Sequence, residues 1–152
     1  MPIITREACQ TDVPAIAELF DLYRQFYEQE PNQPLALAFI TERLAKQESV
    51  ILVAESNQSG LVGFCQLYPT FCSVEAKPIY ALYDLFVLPS ARKGGVGRLL
   101  LLAAEAQAAK AGKVRMDLTT AKANKAAQSL YESLGWVRDD VFLAYSRRVA
   151  QP

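Results

Sequence analysis

Histidine is missing from all 152 residues of the chain. Its absence removes Ser-His-Asp and Cys-His nucleophilic sites and every His-based metal centre. Any acid or base must therefore be a carboxylate, a tyrosine, a cysteine, a lysine or water, and no metal is expected. Cysteine is scarce: Cys9, Cys65 and Cys72 are odd in number and lack CxxC spacing. That argues for reduced, mostly buried thiols in a cytoplasmic protein and against a disulfide framework. Net charge is absent too, since 16 Lys and Arg balance 16 Asp and Glu. Nucleic-acid binding, which needs a basic footprint, is not expected. No apolar run reaches spanning length, and Arg6 and Glu7 interrupt the N-terminus. Neither a membrane span nor a signal peptide is expected. There are no repeats, linkers or low-complexity tracts, and an apolar share of 51% fits one globular domain over residues 1–152.

Hydrophobic spacing divides the chain into elements. Ile3 to Arg6 reads as a short strand. Thr11 or Asp12 can cap a helix with Pro14 in its first turn, and Ile16, Leu19, Phe20, Tyr23, Phe26 and Tyr27 follow at helical spacing. Glu28 to Pro34 breaks that helix, and a second carries Leu37, Phe39, Ile40 and Leu44. Val50 to Glu55 and Leu61 to Tyr68 read as a hairpin around Ser56 to Gly60. Phe71 to Pro78 reads as a loop or bulged strand end, and Ile79 to Leu88 as a long strand stopped by Pro89. A helix over Gly95 to Ala111 closes at Gly112. Val114 to Thr119 reads as a strand, Asn124 caps a helix to Leu134, and Val141 to Val149 reads as a final strand. The expected fold is α/β: a mixed, mostly antiparallel sheet of six to seven strands with four helices, in the order β-α-α-β-β-β-α-β-α-β.

The densest chemistry lies at Arg92-Lys93-Gly94-Gly95-Val96-Gly97-Arg98, between a strand and a helix. Glycine lets a backbone approach a ligand closely, and a helix N-terminus points unpaired N–H groups and a positive dipole at it. With three basic residues around it, the turn suits a phosphate or pyrophosphate. The P-loop string G-x-x-x-x-G-K-[ST] does not occur, and Leu100 stands where a Rossmann fingerprint needs its third glycine. Arg92 to Gly97 does satisfy R-x-x-G-x-G. A second motif, Asn124 to Trp136, opens a helix with Asn and ends it with Tyr131 before Gly135-Trp136. On spacing alone, Tyr131 could equally be a core aromatic beside Ala127, Leu130 and Leu134.

Both motifs, and the element order over almost the whole chain, resemble the GNAT superfamily of N-acetyltransferases, with motifs nearest those of small polyamine- or histone-acetyltransferase-like bacterial members. The resemblance implies direct acyl transfer from acetyl-CoA, as co-substrate, to a primary amine. It implies that Arg92, Lys93, Gly94, Gly95, Val96, Gly97 and Arg98 hold the pyrophosphate, that backbone at Leu85, Phe86 and Val87 pairs with the pantetheine arm, and that Asn124 contacts that arm. Tyr131 would sit by the thioester sulfur and protonate the leaving thiolate. A homodimer is implied as well, in keeping with the apolar segment Phe142 to Val149.

The attacking amine must lose a proton, so a base is needed. Asp84, a carboxylate inside an apolar and aromatic strand, is the candidate, because an idle charge is expensive there. A structural carboxylate is the other reading. Tyr83-Asp84-Leu85-Phe86-Val87 is similar to the Glu-Asp-Phe-Phe-Val string of polyamine acetyltransferases, but Tyr83 replaces the Glu, which leaves polyamine specificity open. Glu28 and Glu30, with Tyr27 and its aromatic neighbours, read as an acceptor wall for a cationic amine or as a solvated loop. Small amines, polyamines and amino acids are the first acceptor class, and a protein lysine or N-terminus is the second. The alternative function is a non-catalytic acyl-CoA-binding sensor or assembly module of the same fold.

Overall fold

A computed structural model describes residues 2–152 of the chain. They fall into two compact units, the first ending at Thr119 and the second spanning Thr120–Pro152. The first unit is a five-stranded sheet in the order β1 (Ile3–Glu7), β2 (Val50–Ser56), β3 (Gly60–Cys72), β4 (Lys77–Val87), β5 (Met116–Asp117). The first four strands are antiparallel neighbours and β5 is parallel to β4. Helices α1 (Val13–Phe26), α2 (Gln33–Ala45) and α3 (Val96–Lys110) belong to it, with short 3-10 turns at Gln10–Asp12 and Pro89–Ala91.

One face of the sheet packs on α1 and α2. Ile51, Val53, Phe64 and Phe86 join Ile16, Phe20, Ala36 and Ile40 in one buried cluster. The other face meets α3, where Leu100 lies over Gly63. Alternation along β3 therefore places Gly63, Cys65 and Leu67 on the α3 face and Phe64 and Gln66 on the α1–α2 face. The α1–α2 connection is held by Asp21, whose buried carboxylate accepts from the Asn32 N–H at 2.9 Å and from the Gln25 amide at 3.0 Å. Asn32 in turn caps α2 by accepting from the Leu35 N–H.

The β3–β4 ladder contains one irregularity. Gln66 pairs with Asp84 and Leu67 with Leu82, so Tyr83 is an extra residue on β4. Opposed residues share a face. Leu82 therefore points to the α3 side and Asp84 to the α1–α2 side, a reversal that strict alternation forbids and one inserted residue creates. Without the bulge, Asp84 would lie on the same face as Leu82 and Tyr80. Pairing of β4 with β5 covers only Tyr80 with Met116 and Ala81 with Asp117. Beyond Ala81, among the described residues, β4 has no second neighbouring strand.

The second unit contains α4 (Lys125–Ser133), capped by the Asn124 side chain, which accepts from the Ala127 N–H at 3.1 Å. Gln128 ties the preceding turn by donating to the Ala121 and Lys122 carbonyls.

The expected sheet of six to seven strands is corrected to five, and the order ends at α4 with no final strand. Residues 141–149 form no ladder; the Asp139 carboxylate accepts from the N–H groups of Val141 and Phe142, a local turn where strand backbone was expected. Apolar patterning marks side chains suited to a pleat, but a strand also needs a neighbour's backbone. Strand length was misread in both directions. β3 and β4 run to Cys72 and from Lys77, leaving a four-residue turn where a longer loop was expected, while β5 shrinks to two residues.

A Cβ added at Gly63 would sit 2.9 Å from the Phe86 carbonyl oxygen and 3.2 Å from Leu100 Cδ1. The first neighbour is backbone and cannot swing away. Gly63→Ala is expected to cost about 1–3 kcal/mol of stability in a urea titration.

Candidate active site

The loop Arg92 to Arg98 closes onto the N-terminus of α3. Gly95 is its N-cap at φ 81°, a left-handed conformation that costs a side-chain-bearing residue about 1–2 kcal/mol. Lys93, not a glycine, also has positive φ, 67°. The N–H groups of Gly95, Val96, Gly97 and Arg98 have no acceptor among the described residues; the helical ladder starts with Leu99 donating to the Gly95 carbonyl at 3.0 Å. Four adjacent donors at the positive end of a fifteen-residue helix make an anion seat. Gly94, Gly95 and Arg98 are exposed, whereas the Val96 side chain is buried.

Arg92 turns the other way. Its Nε donates to the Val87 carbonyl at 2.8 Å, and its guanidinium lies 5.4 Å from the Phe86 ring centre and 5.8 Å from that of Phe26. It therefore fixes the loop to the end of β4 and to the last turn of α1. Through it the glycine loop, the Leu85–Val87 backbone and the helix end beside Tyr27 are brought together.

A second cluster surrounds the bulge. Asp84 is 4% exposed. Gln66 donates from Nε2 to its Oδ2 at 2.5 Å, and Ser49 donates from Oγ to Gln66 Oε1 at 2.7 Å. The Tyr23 hydroxyl donates to the Tyr83 carbonyl at 3.1 Å and has the Asp84 carboxyl as its other neighbour. Burial raises the Asp84 pKa, and the hydrogen bond from Gln66 and the adjacent Tyr23 hydroxyl oppose the rise. Burial, with the Asp84 charge, also raises the Tyr23 phenol and pushes Tyr68 up to about 12. Burial holds the Cys65 thiol at about 12, so it is a protonated core residue and no nucleophile.

Tyr rings line the approach. Tyr23 and Tyr27 meet edge to face at 5.1 Å, and Tyr68 and Tyr83 at 5.6 Å. Tyr83 is 70% and Tyr27 47% exposed, whereas Asp84 beneath them is shut in. Glu28, at φ 65°, and Glu30 are exposed, and neither side chain makes a hydrogen bond or ion pair among the described residues. In the second unit, the Tyr131 ring lies 6.0 Å from that of Trp136, and the Trp136 N–H donates to the Tyr131 carbonyl. Among the described residues, no group of His, Cys, Asp and Glu is arranged to hold a metal, and no helix is long and apolar enough to cross a membrane.

The sequence profile of the acetyltransferase (GNAT) family matches residues 15–136. The chain belongs to the GNAT family of acetyltransferases. A relative described as an uncharacterized N-acetyltransferase, YhfO of Bacillus subtilis (strain 168), is 47% identical over 144 residues, 95% of this chain and 96% of that protein. The crystal structure of a probable acetyltransferase superposes with a TM-score of 0.88 at 35% identity and full coverage of both chains. The aminoglycoside N-acetyltransferase AAC(6')-Iy in complex with CoA shares the fold, with a TM-score of 0.81 at 20% identity over 97% of this chain and 96% of that one.

As a GNAT, the chain is an acyl-CoA-dependent transferase, and two of its polar side chains escaped the sequence reading. Gln66 and Ser49 are both buried, and they carry the hydrogen bonds that reach Asp84. The signal for Gln66 was present: one amide inside the apolar run Leu61 to Tyr68 must find a partner when buried. Ser49, just before a strand, gave no such signal.

The Asp84 titration fixes a sign. Its folded pKa is raised, so the folded state binds more protons than the unfolded state across the window from the ordinary carboxylate range up to the raised value. This group's contribution to stability is greatest below that window and is lost as pH rises through it. Asp84→Asn, neutral and of similar shape, is expected to raise Tm by a few degrees near pH 8. The gain should shrink as pH falls through the carboxylate range, as followed by calorimetry across pH.

Proposed function

We propose that this GNAT transfers an acetyl group from acetyl-CoA directly to a primary amine, with Tyr131 as general acid. The observation that carries the reading is the row of unpaired N–H groups from Gly95 to Arg98, one Arg92 side chain away from the open edge of β4. In this reading the pyrophosphate lies on those donors, with Arg92, Lys93, Gly94 and Arg98 around it. The pantetheine arm runs as an extra strand beside Leu85, Phe86 and Val87, on the edge of β4 away from β3. Asn124 contributes a contact to the arm from its amide nitrogen, since its side-chain oxygen is engaged in capping α4.

The chemistry divides between two groups. Asp84 accepts the amine's proton, and the freed nitrogen lone pair attacks the thioester carbonyl. Tyr131 then donates to the charge developing on sulfur as the C–S bond breaks. The acceptor is a cationic small amine, a polyamine or an amino acid before a protein lysine or N-terminus. The exposed rings of Tyr27 and Tyr83 and the unpaired Glu28 and Glu30 support that choice. The same reading includes a cytoplasmic homodimer, with the exposed apolar side chains of Phe142 to Val149 offered to a second copy.

The test is release of free CoA thiol from acetyl-CoA against polyamines, amino acids, aminoglycosides and basic peptides. Amine-dependent release is expected for wild type, and Tyr131→Phe should lower kcat by about a hundredfold while leaving the Kd for acetyl-CoA within a factor of two. Unchanged turnover in that variant removes Tyr131 from the mechanism. Stabilisation by acetyl-CoA without release toward any amine would favour the binding-module reading.

A further inference from the structure

Ser49, Gln66 and Asp84 form a hydrogen-bonded file on a packed sheet face, and the half-buried Tyr23 hydroxyl, which donates to the Tyr83 carbonyl, neighbours its Asp84 end. Asp84 and Gln66 are directly opposed on β4 and β3, on the face covered by α1 and α2. Here the partner amide is itself held by a second buried donor, Ser49.

We propose that this file is a proton-accepting relay in which Tyr23 is the member that meets the acceptor amine and Gln66 and Ser49 are positioning residues for Asp84. The proposal rests on the acetyl-transfer reading above and adds three residues to it. Asp84 is too enclosed to receive an amine, while Tyr23 is only half-buried, neighbours Asp84, meets the exposed Tyr27 ring edge to face and donates to the Tyr83 carbonyl. A hydroxyl carries one proton, so the Tyr83 carbonyl and the Asp84 carboxylate compete for it. When an ammonium donates to the Tyr23 oxygen, the hydroxyl can pass its own proton to Asp84. One N–H bond and the old Tyr23 O–H bond break, and a new Tyr23 O–H and an Asp84 O–H form. Nitrogen keeps the electron pair and Tyr23 ends as it began.

The Gln66–Ser49 pair suits both ends of that step. With Asp84 charged, the Gln66 amide donates to it and accepts from Ser49, as observed. With Asp84 protonated, turning the amide over lets Oε1 accept from the acid while Nε2 donates to Ser49 Oγ. In each state the Gln66 amide keeps one bond to Asp84 and one to Ser49, which lowers the penalty for taking the proton. The titratable groups around Asp84 are Tyr23 from α1, Tyr68 and Cys65 from β3, and Tyr83 on β4 itself; Arg43 from α2 acts on Tyr68. None of the groups acting on Asp84 is a cation, so its titration is governed by burial and by the relay's own hydrogen bonds.

The test needs no known acceptor for its first arm. The Asp84 carboxyl carbon is followed by NMR in the free protein labelled with carbon-13 aspartate, and assigned by its loss in Asp84→Asn. Gln66→Leu removes a donor to the charged form, so the midpoint should rise by about one pH unit, and Ser49→Ala should raise it by less. In the second arm, with the amine that gives the fastest CoA release, the acidic limb of kcat/KM should move up by the same amounts. Tyr23→Phe should lower kcat at least about tenfold with the KM for acetyl-CoA within a factor of two. A midpoint unmoved in both Gln66→Leu and Ser49→Ala, even with lower Tm, overturns the positioning role. Full turnover in Tyr23→Phe overturns the relay. Wild-type protein that binds acetyl-CoA but releases no CoA with any amine overturns the acetyl-transfer reading, and the relay's catalytic role with it, whatever the titration shows.

Discussion

Between Leu82 and Asp84, β4 carries one residue more than β3 can pair, and the geometry of the candidate site depends on where that residue goes. Tyr83 is left outside the ladder and its ring is exposed. Its carbonyl becomes available to Tyr23, and everything after it changes face. Asp84 is thereby moved from the α3 side, where it would meet aliphatic side chains, to the side where Gln66 and Tyr23 can reach it. The parallel pairing with β5 ends at Ala81, two residues before the bulge, which leaves the last half of β4 with one neighbour instead of two. A single insertion thus accounts for a buried acid with partners, and it lies next to an unpaired strand edge beside a helix N-terminus.

Burying Asp84 is a cost that the fold tolerates. A carboxyl at 4% exposure with no cation beside it opposes folding whenever it is charged. The hydrogen bond from Gln66 and the neighbouring Tyr23 hydroxyl reduce that cost without cancelling it, since the net effect still raises the pKa. A side chain kept at a loss of stability, at the point where a strand bulges and aromatic rings are exposed, is what a proton-accepting site requires.

Local signals were legible in the sequence and pairing signals were not. Asn124 as the cap of α4, Pro14 in the first turn of α1 and the glycine loop at the start of α3 each depend on neighbours within a few residues, and each is found where the pattern put it. Asp84 stood out as a charge in an apolar strand, and its burial agrees. The family resemblance implies a bulge in this strand near Leu85 to Val87, but its position at Tyr83 is not legible, because it is a mismatch between two strands and neither one shows it alone. The same limit explains Val141 to Val149, whose apolar residues suit a pleat but whose backbone forms no ladder. Arg92 illustrates a third case. Its place in the R-x-x-G-x-G string suggests a phosphate ligand, and the structure adds what the string does not carry: its Nε donates to the Val87 carbonyl and its guanidinium lies beside two aromatic rings.

The central claim is that backbone donors at the start of α3 seat the pyrophosphate of acetyl-CoA. A titration of nitrogen-15-labelled protein with CoA, read at the individual amides, tests it most directly. The account predicts that the Gly95, Val96, Gly97 and Arg98 amides shift together and saturate at one Kd, because hydrogen bonding to phosphate oxygens acts on the N–H itself. CoA binding that leaves those four amides unmoved would contradict it, as would the absence of any CoA binding.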